Sequence, residues 1–157
     1  MKWITRSRPK VDRIACPWLI ARFVDESAEF LYEPTERVLR VAEETGAIPY
    51  DIEGVELTHD GPLCSFDAIL KKYQLTDPAL QEMATIVRGA DTNRHDMAPQ
   101  CPGVYAVLIG LSHHFQDDHE QLRHGMVVCD ALYAWCKHAR AEKHDWNPQK
   151  NRPVRTA

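Results

Sequence analysis

The sequence predicts an α+β fold, with a small mixed β-sheet in the N-terminal 60 residues packed against a helical second half. Three observations carry that prediction. Two short runs rich in aromatic and β-branched residues, Trp3-Ile4-Thr5 and Glu29-Phe30-Leu31-Tyr32-Glu33, read as strands early in the chain. From Ser65 onward the apolar residues repeat at i, i+3, i+4 and i+7, the spacing of one helical face. Strands first and helices later favour α+β over a regular alternation of the two.

Each element has its own signal. Asp12 reads as a helix cap, and Cys16, Leu19, Ile20 and Phe23 form the stripe that follows. This helix lies between two strands, which leaves room for a local βαβ unit. Pro34-Thr35 starts a second helix and Gly46 stops it. Residues 47–51 and 55–59 read as a hairpin turning at Ile52-Glu53-Gly54. Ser65 caps a helix with Phe66, Ile69, Leu70 and Tyr73 on one face. Asp77-Pro78 opens the next, striped by Leu80, Met83, Ala84 and Val87. Val104, Val107, Leu108 and Leu111 mark another, and Leu122, Met126, Cys129, Tyr133 and Cys136 stripe a long last helix. The expected division is one domain over residues 1–140, with a polar, proline-punctuated tail at 141–157 that frays.

Bulk properties narrow the function. A chain of 157 residues can bury a real core, and 44% hydrophobic with 27% charged residues is a globular composition. The net charge of −4 argues against general nucleic-acid or anionic-membrane binding. No apolar run approaches the roughly 20 residues that span a bilayer, and the charged start does not read as a signal peptide. Five cysteines without a CxxC pair suit reduced thiols, so a cytoplasmic location is expected. Nucleotide-binding glycine loops, HExxH and GxSxG are all missing from the sequence.

Five segments could carry chemistry. Arg6, Arg8, Lys10 and Arg13 crowd the start of the first helix, where free N–H groups and the dipole favour an anion. Arg6, Arg8 and Arg13 are therefore oxyanion candidates, against the plainer reading of a solvated basic loop. Cys16, near the same helix start, is the best candidate for a thiol of lowered pKa. His59, Cys64 and Asp67 share a strand-to-helix corner able to supply some ligands of a divalent metal, although the spacing matches no standard zinc motif. Arg88 and Asp91 form a third group as site residues or an internal ion pair. Asp130, in an apolar stretch, needs a partner if buried, such as a distant metal or Arg88. His113, His114, Asp117, Asp118 and His119 read mainly as a solvated connector between helices.

Several of these segments also resemble one family. Asp12-Arg13-Ile14-Ala15-Cys16-Pro17-Trp18-Leu19-Ile20 is similar to the opening of the C-terminal domain of ChrB chromate-resistance proteins. The likeness continues through Gly46-Ala47-Ile48-Pro49-Tyr50-Asp51, His59, Cys64-Ser65-Phe66-Asp67, Ile86-Val87-Arg88-Gly89-Ala90-Asp91-Thr92 and Asp130-Ala131-Leu132-Tyr133-Ala134-Trp135. The resemblance implies a role in chromate resistance, a stress response. Longer members are described as chromate-responsive regulators with an additional N-terminal region, which this chain is expected to lack, so no direct nucleic-acid binding is expected. The His113–His119 group lies outside the shared segments, and His59, Asp67 and Asp91 lie inside them.

The leading expectation is thus a site for Zn, Mn or Fe on His59, Asp67 and Asp91, with Cys64 or Asp130 as additions. Arg6, Arg8 and Arg13 would line its oxyanion pocket, taking chromate or another small anion. Were the site catalytic, Cys16 and Arg88 would be the candidate reacting groups. The alternatives are a metal-free oxyanion sensor and a thiol redox protein using Cys16 or Cys64. The reading is compatible with an enzyme and with a regulator, and with a homodimer.

Overall fold

The computed structural model describes residues 1–147. Ten residues of the expected tail, 148–157, lie outside the described residues. The elements are β1 (Lys2–Arg6), α1 (Val11–Phe23), β2 (Glu29–Glu33), α2 (Thr35–Thr45), β3 (Ile48–Pro49), α3 (Ser65–Lys72), α4 (Pro78–Asp91), α5 (Cys101–His114) and α6 (Asp118–Ala134). A short 3₁₀ turn, His95–Met97, precedes α5, and a π turn, Trp135–Ala139, extends α6. Among these no helix is long and apolar enough to cross a membrane.

The fold is α+β, with a three-stranded sheet in the first part and most helices in the second. The sheet is parallel throughout, in the order β2-β1-β3, rather than mixed. Trp3 pairs with Phe30 and Ile48, and Thr5 with Tyr32. The β1–α1–β2 segment is therefore the βαβ unit that the helix between two strands allowed. The expected hairpin is not formed. Ile48–Pro49 joins β1 as a parallel edge strand, because Pro49 has no N–H to offer a second neighbour. Leu57 instead returns beside Tyr50 in a parallel bridge, and its carbonyl accepts from Asp51 N at 2.8 Å.

Successive β1 side chains point to opposite faces. Ile4 meets Val38, Val41 and Ala42 of α2 in a small core. Trp3 faces the main core with Ile14, Trp18, Phe66, Ile69 and Met83. At the centre of this core α1 is buried from Val11 to Ile20 except at Arg13, as an apolar helix must be when other elements surround it. Gly125 of α6 lets Ile14 approach closely: a Cβ there would lie 2.4 Å from Ile14 Cγ2.

Capping follows local chemistry, with two shifts from expectation. Lys10 is the N-cap of α1, and Asp12 sits inside its first turn. Cys64, not Ser65, caps α3, with the Asp67 carboxylate reaching back to Cys64 N at 3.0 Å. Asp77 caps α4 through Ala79 N, Asp117 caps α6 through Glu120 N, and Gly46 ends α2 at φ 71°.

Candidate metal centre at the carboxyl ends of the strands

From β1 the chain runs to β2 on one side, then reaches β3 on the other. That reversal opens a crevice beyond the carboxyl ends of β1 and β3, the usual ligand position in open parallel sheets. Four titratable side chains converge there: Asp12 from the first turn of α1, Asp51 just after β3, His59 from the following loop, and Asp91 at the last residue of α4. His59 Nε2 lies 3.1 Å from Asp91 Oδ2, 3.5 Å from Asp51 Oδ1 and 3.6 Å from Asp12 Oδ2. One ligand atom each from Asp12, His59 and Asp91 lies within 4.8 Å of the others, the one such group among the described residues.

Two helix starts hold the carboxylates. Asp12 N, at the start of α1, donates to Asp91 Oδ1 at 3.2 Å, and Ser65 N, at the start of α3, donates to Asp12 Oδ2 at 2.7 Å. The anion that the N-terminus of α1 attracts is thus the protein's own Asp91. Ser65 Oγ donates to Asp51 Oδ1 at 2.8 Å, so Ser65 orients two of the three acids. Asp51 has φ 49°, a left-handed backbone that Asp tolerates better than most residues. Arg6 contacts Asp51 through Nη2 at 2.9 Å, and Arg13 Nε lies 3.3 Å from the same carboxylate.

Burial raises the Asp12 pKa well above the ordinary value, and the charges of Asp91 and Asp51 add to the shift. Asp91 is raised by burial and by Asp51. Burial also acts against Asp51, but hydrogen bonds with His59, Ser65 and Arg6 outweigh it and hold this acid low. His59 is pushed up to about 9, first by its hydrogen bond with Asp51 and then by the charges of Asp12 and Asp91, with burial opposing. Acids this crowded favour a cation. Carboxylates with a single imidazole make a donor set suited to Mn, Fe(II) or Zn. Asp12 is buried, Asp91 is 18% exposed and His59 41%, so solvent reaches the centre from the His59 side.

Of the residues that sequence reasoning assigned to a metal, His59 and Asp91 meet here. Asp67 does not: its two oxygens accept from Arg88 Nε and Nη2, both at 2.9 Å. Cys64 Sγ also turns to Asp67, at 3.4 Å. Asp130 is likewise elsewhere, bound by Arg22 and by Trp18 Nε1. Arg8 leaves the expected oxyanion group, with Asp118 and the carbonyls of Ser112, Phe115 and Gln116 as its partners. Cys16 is fully buried and donates to Asp12 Oδ1 at 3.4 Å; burial and Asp12 raise its pKa, the opposite of the expected activation. His113, His114 and His119 are exposed at the α5–α6 connection and join no cluster of potential ligands among the described residues.

Sequence reasoning did not place Asp12 or Asp51 among the candidate site residues. One signal was readable. Asp12 lies between Val11 and Ile14-Ala15 in an apolar segment, and a buried carboxylate there demands partners.

Comparison with known proteins locates the centre within a shared domain. Residues 3–136 match the family described as ChrB, C-terminal domain. Protein ChrB of Cupriavidus metallidurans is 33% identical over 133 residues, covering 84% of this chain. The chain spans 40% of the length of that relative. No solved structure matches it.

Proposed function

The chain belongs to the ChrB C-terminal domain family, and we propose that within this domain it carries a mononuclear divalent-metal site, with Asp12, His59 and Asp91 as ligands. The observation that carries this reading is the approach of three carboxylates to one imidazole nitrogen in a crevice with one open side. Asp51 and Ser65 act behind the ligands. Ser65 fixes the carboxylates, and Asp51 with Arg6 and Arg13 sets the charge around them. A resident ion would supply Lewis acidity and positions for an oxygen donor on the solvent side. Chromate resistance, implied by the family likeness, is the physiological setting of this proposal. The five free cysteines support a cytoplasmic setting for that work.

Two alternatives lose support. A metal-free oxyanion pocket on Arg6, Arg8 and Arg13 would need guanidinium groups that are already bound to Asp51 and Asp118. A thiol mechanism would need an accessible, acidic cysteine, and burial raises both Cys16 and Cys64.

The test is metal content. Protein purified without added metal is analysed, then titrated with Mn²⁺, Fe²⁺ and Zn²⁺. About one equivalent bound by the wild type, and loss of binding in His59→Ala, is the expected result. No uptake of any of the three ions rejects the site.

A further inference from the structure

A cavity of about 320 Å³ lies between the loop that follows β3 and helix α3. Thr58, Asp60 and Leu63 line it from the loop, and Cys64, Ala68 and Lys71 from the helix and its cap. Its volume is within the range of small-molecule sites. Asp12, His59 and Asp91 do not line it, so it is separate from the metal centre.

Both walls are held in place. Asp60 N donates to Leu63 O at 3.1 Å and Leu63 N to Asp60 O at 3.0 Å, closing a tight turn in which Gly61 takes φ 56°. The opposite wall starts at the cap of α3, fixed by the reciprocal bonds of Cys64 and Asp67. Leu63, left 36% exposed, and Ala68 give the cavity apolar surface. Ala68 also leaves room there that a longer side chain would fill.

The charges around the cavity divide into paired and free. Lys72 donates to Glu56 at 2.7 Å, and Arg88 holds both oxygens of Asp67. Asp60 and Lys71 remain. Among the described residues neither side chain has a hydrogen-bond or ion-pair partner, and the Thr58 hydroxyl has none either. The cavity thus offers one free anion on the turn, one free cation on the helix, and apolar surface. A ligand with a single charge would leave Asp60 or Lys71 unused. A ligand with an ammonium group for Asp60, a carboxylate for Lys71 and an apolar side chain uses all three features. Rigid walls limit the ordering cost of holding it.

We propose that this cavity binds such a zwitterion, a free α-amino acid with an apolar side chain or a short peptide. The inference is independent of the metal reading, since the two sites share no residue.

The experiment is calorimetric titration of the metal-free protein, so that the ligand cannot act through an ion. The probes are L-leucine, L-leucyl-glycine, and two analogues of leucine with one charge each, 3-methylbutylamine and 4-methylpentanoate. Heat from leucine identifies a free amino acid as the source, and heat from the dipeptide alone identifies a peptide. Each single-charge analogue should bind at least about tenfold more weakly than the zwitterion, because one charge-assisted contact is missing. Lys71→Gln should lose about tenfold for the same reason, and Ala68→Leu should abolish binding by filling the cavity. Lys71 is exposed and without a partner, so Lys71→Gln keeps the wild-type Tm, which serves as its folding control. Three results overturn the inference: no heat from leucine or the dipeptide, equal affinity for either single-charge analogue, or wild-type affinity in folded Lys71→Gln or Ala68→Leu protein.

Discussion

His59 Nε2 stands 3.1 Å from Asp91 Oδ2, joining the loop after β3 to the last residue of α4. This pair lines the open side of the centre, so the two residues are predicted to fail together. His59→Ala and Asp91→Asn should each weaken metal binding by at least about a hundredfold. Isothermal titration with Mn²⁺ measures it. Wild-type affinity in either variant would remove that residue from the ligand set.

Proton release gives the second prediction. The metal needs neutral His59, whose pKa in the metal-free protein is pushed up to about 9. Apparent affinity should therefore rise by about tenfold per pH unit and level off above that value. The metal-free fold moves the other way. A folded pKa above the unfolded 6.5 stabilises fully below pH 6.5, and the benefit disappears as pH climbs through about 9. The shift in Tm on adding Mn²⁺ should thus widen between pH 6.5 and 9. Thermal scans across that window with and without metal would show it; a constant shift would contradict it.

Much of the frame was legible in the sequence, because helix starts and stops are local chemistry. Asp77-Pro78, Asp117 and Gly46 each act within one turn. The site was legible only in part, since its contacts join residues far apart in the chain. Asp12 carried the signature of a cap, and only folding shows that Lys10 takes that position while Asp12 turns inward. Asp67 looked like a ligand because it shares a corner with His59, yet Arg88 on another helix claims both its oxygens. The missing hairpin has a similar cause: Pro49 cannot pair on two sides, a fact that alternation of apolar residues does not register.

Asp12 and Asp67 should accordingly behave in opposite ways. Asp12→Asn removes a buried charge crowded by Asp91 and Asp51 while keeping an oxygen for Ser65 N. The metal-free protein should gain about 1 kcal/mol and lose metal binding. Asp67→Asn breaks a two-bond ion pair and the cap of α3, so it should cost about 2 kcal/mol and leave the metal stoichiometry unchanged. Urea unfolding with a parallel metal titration separates the two. An Asp67→Asn protein that folds stably but takes up no metal would return Asp67 to the ligand set.

All five cysteines are buried, and burial raises the pKa of Cys16, Cys64, Cys129 and Cys136. Ellman's reagent at neutral pH should therefore label almost nothing in the native protein and every thiol in denaturant. Rapid native labelling of Cys16 or Cys64 would revive a thiol mechanism.

Gly89 connects the stability of α4 to the chemistry at its end. A Cβ at this position would lie 2.4 Å from Cys101 Sγ and 2.7 Å from the Arg94 carbonyl oxygen. That carbonyl belongs to backbone, which no rotamer change can move aside. Gly89 O also accepts from Arg94 N at 3.0 Å, so the same close approach ties the turn carrying Arg94 to the helix carrying Asp91. Gly89→Ala should destabilise by about 2 to 3 kcal/mol through overpacking. Because the forced shift lies between Arg88 and Asp91, surviving folded protein should also bind Mn²⁺ more weakly. Denaturant unfolding and metal titration of the same preparation measure both effects. A Gly89→Ala protein of normal stability would show that the α4–α5 junction yields without strain, and normal metal affinity would show that Asp91 is positioned independently of it.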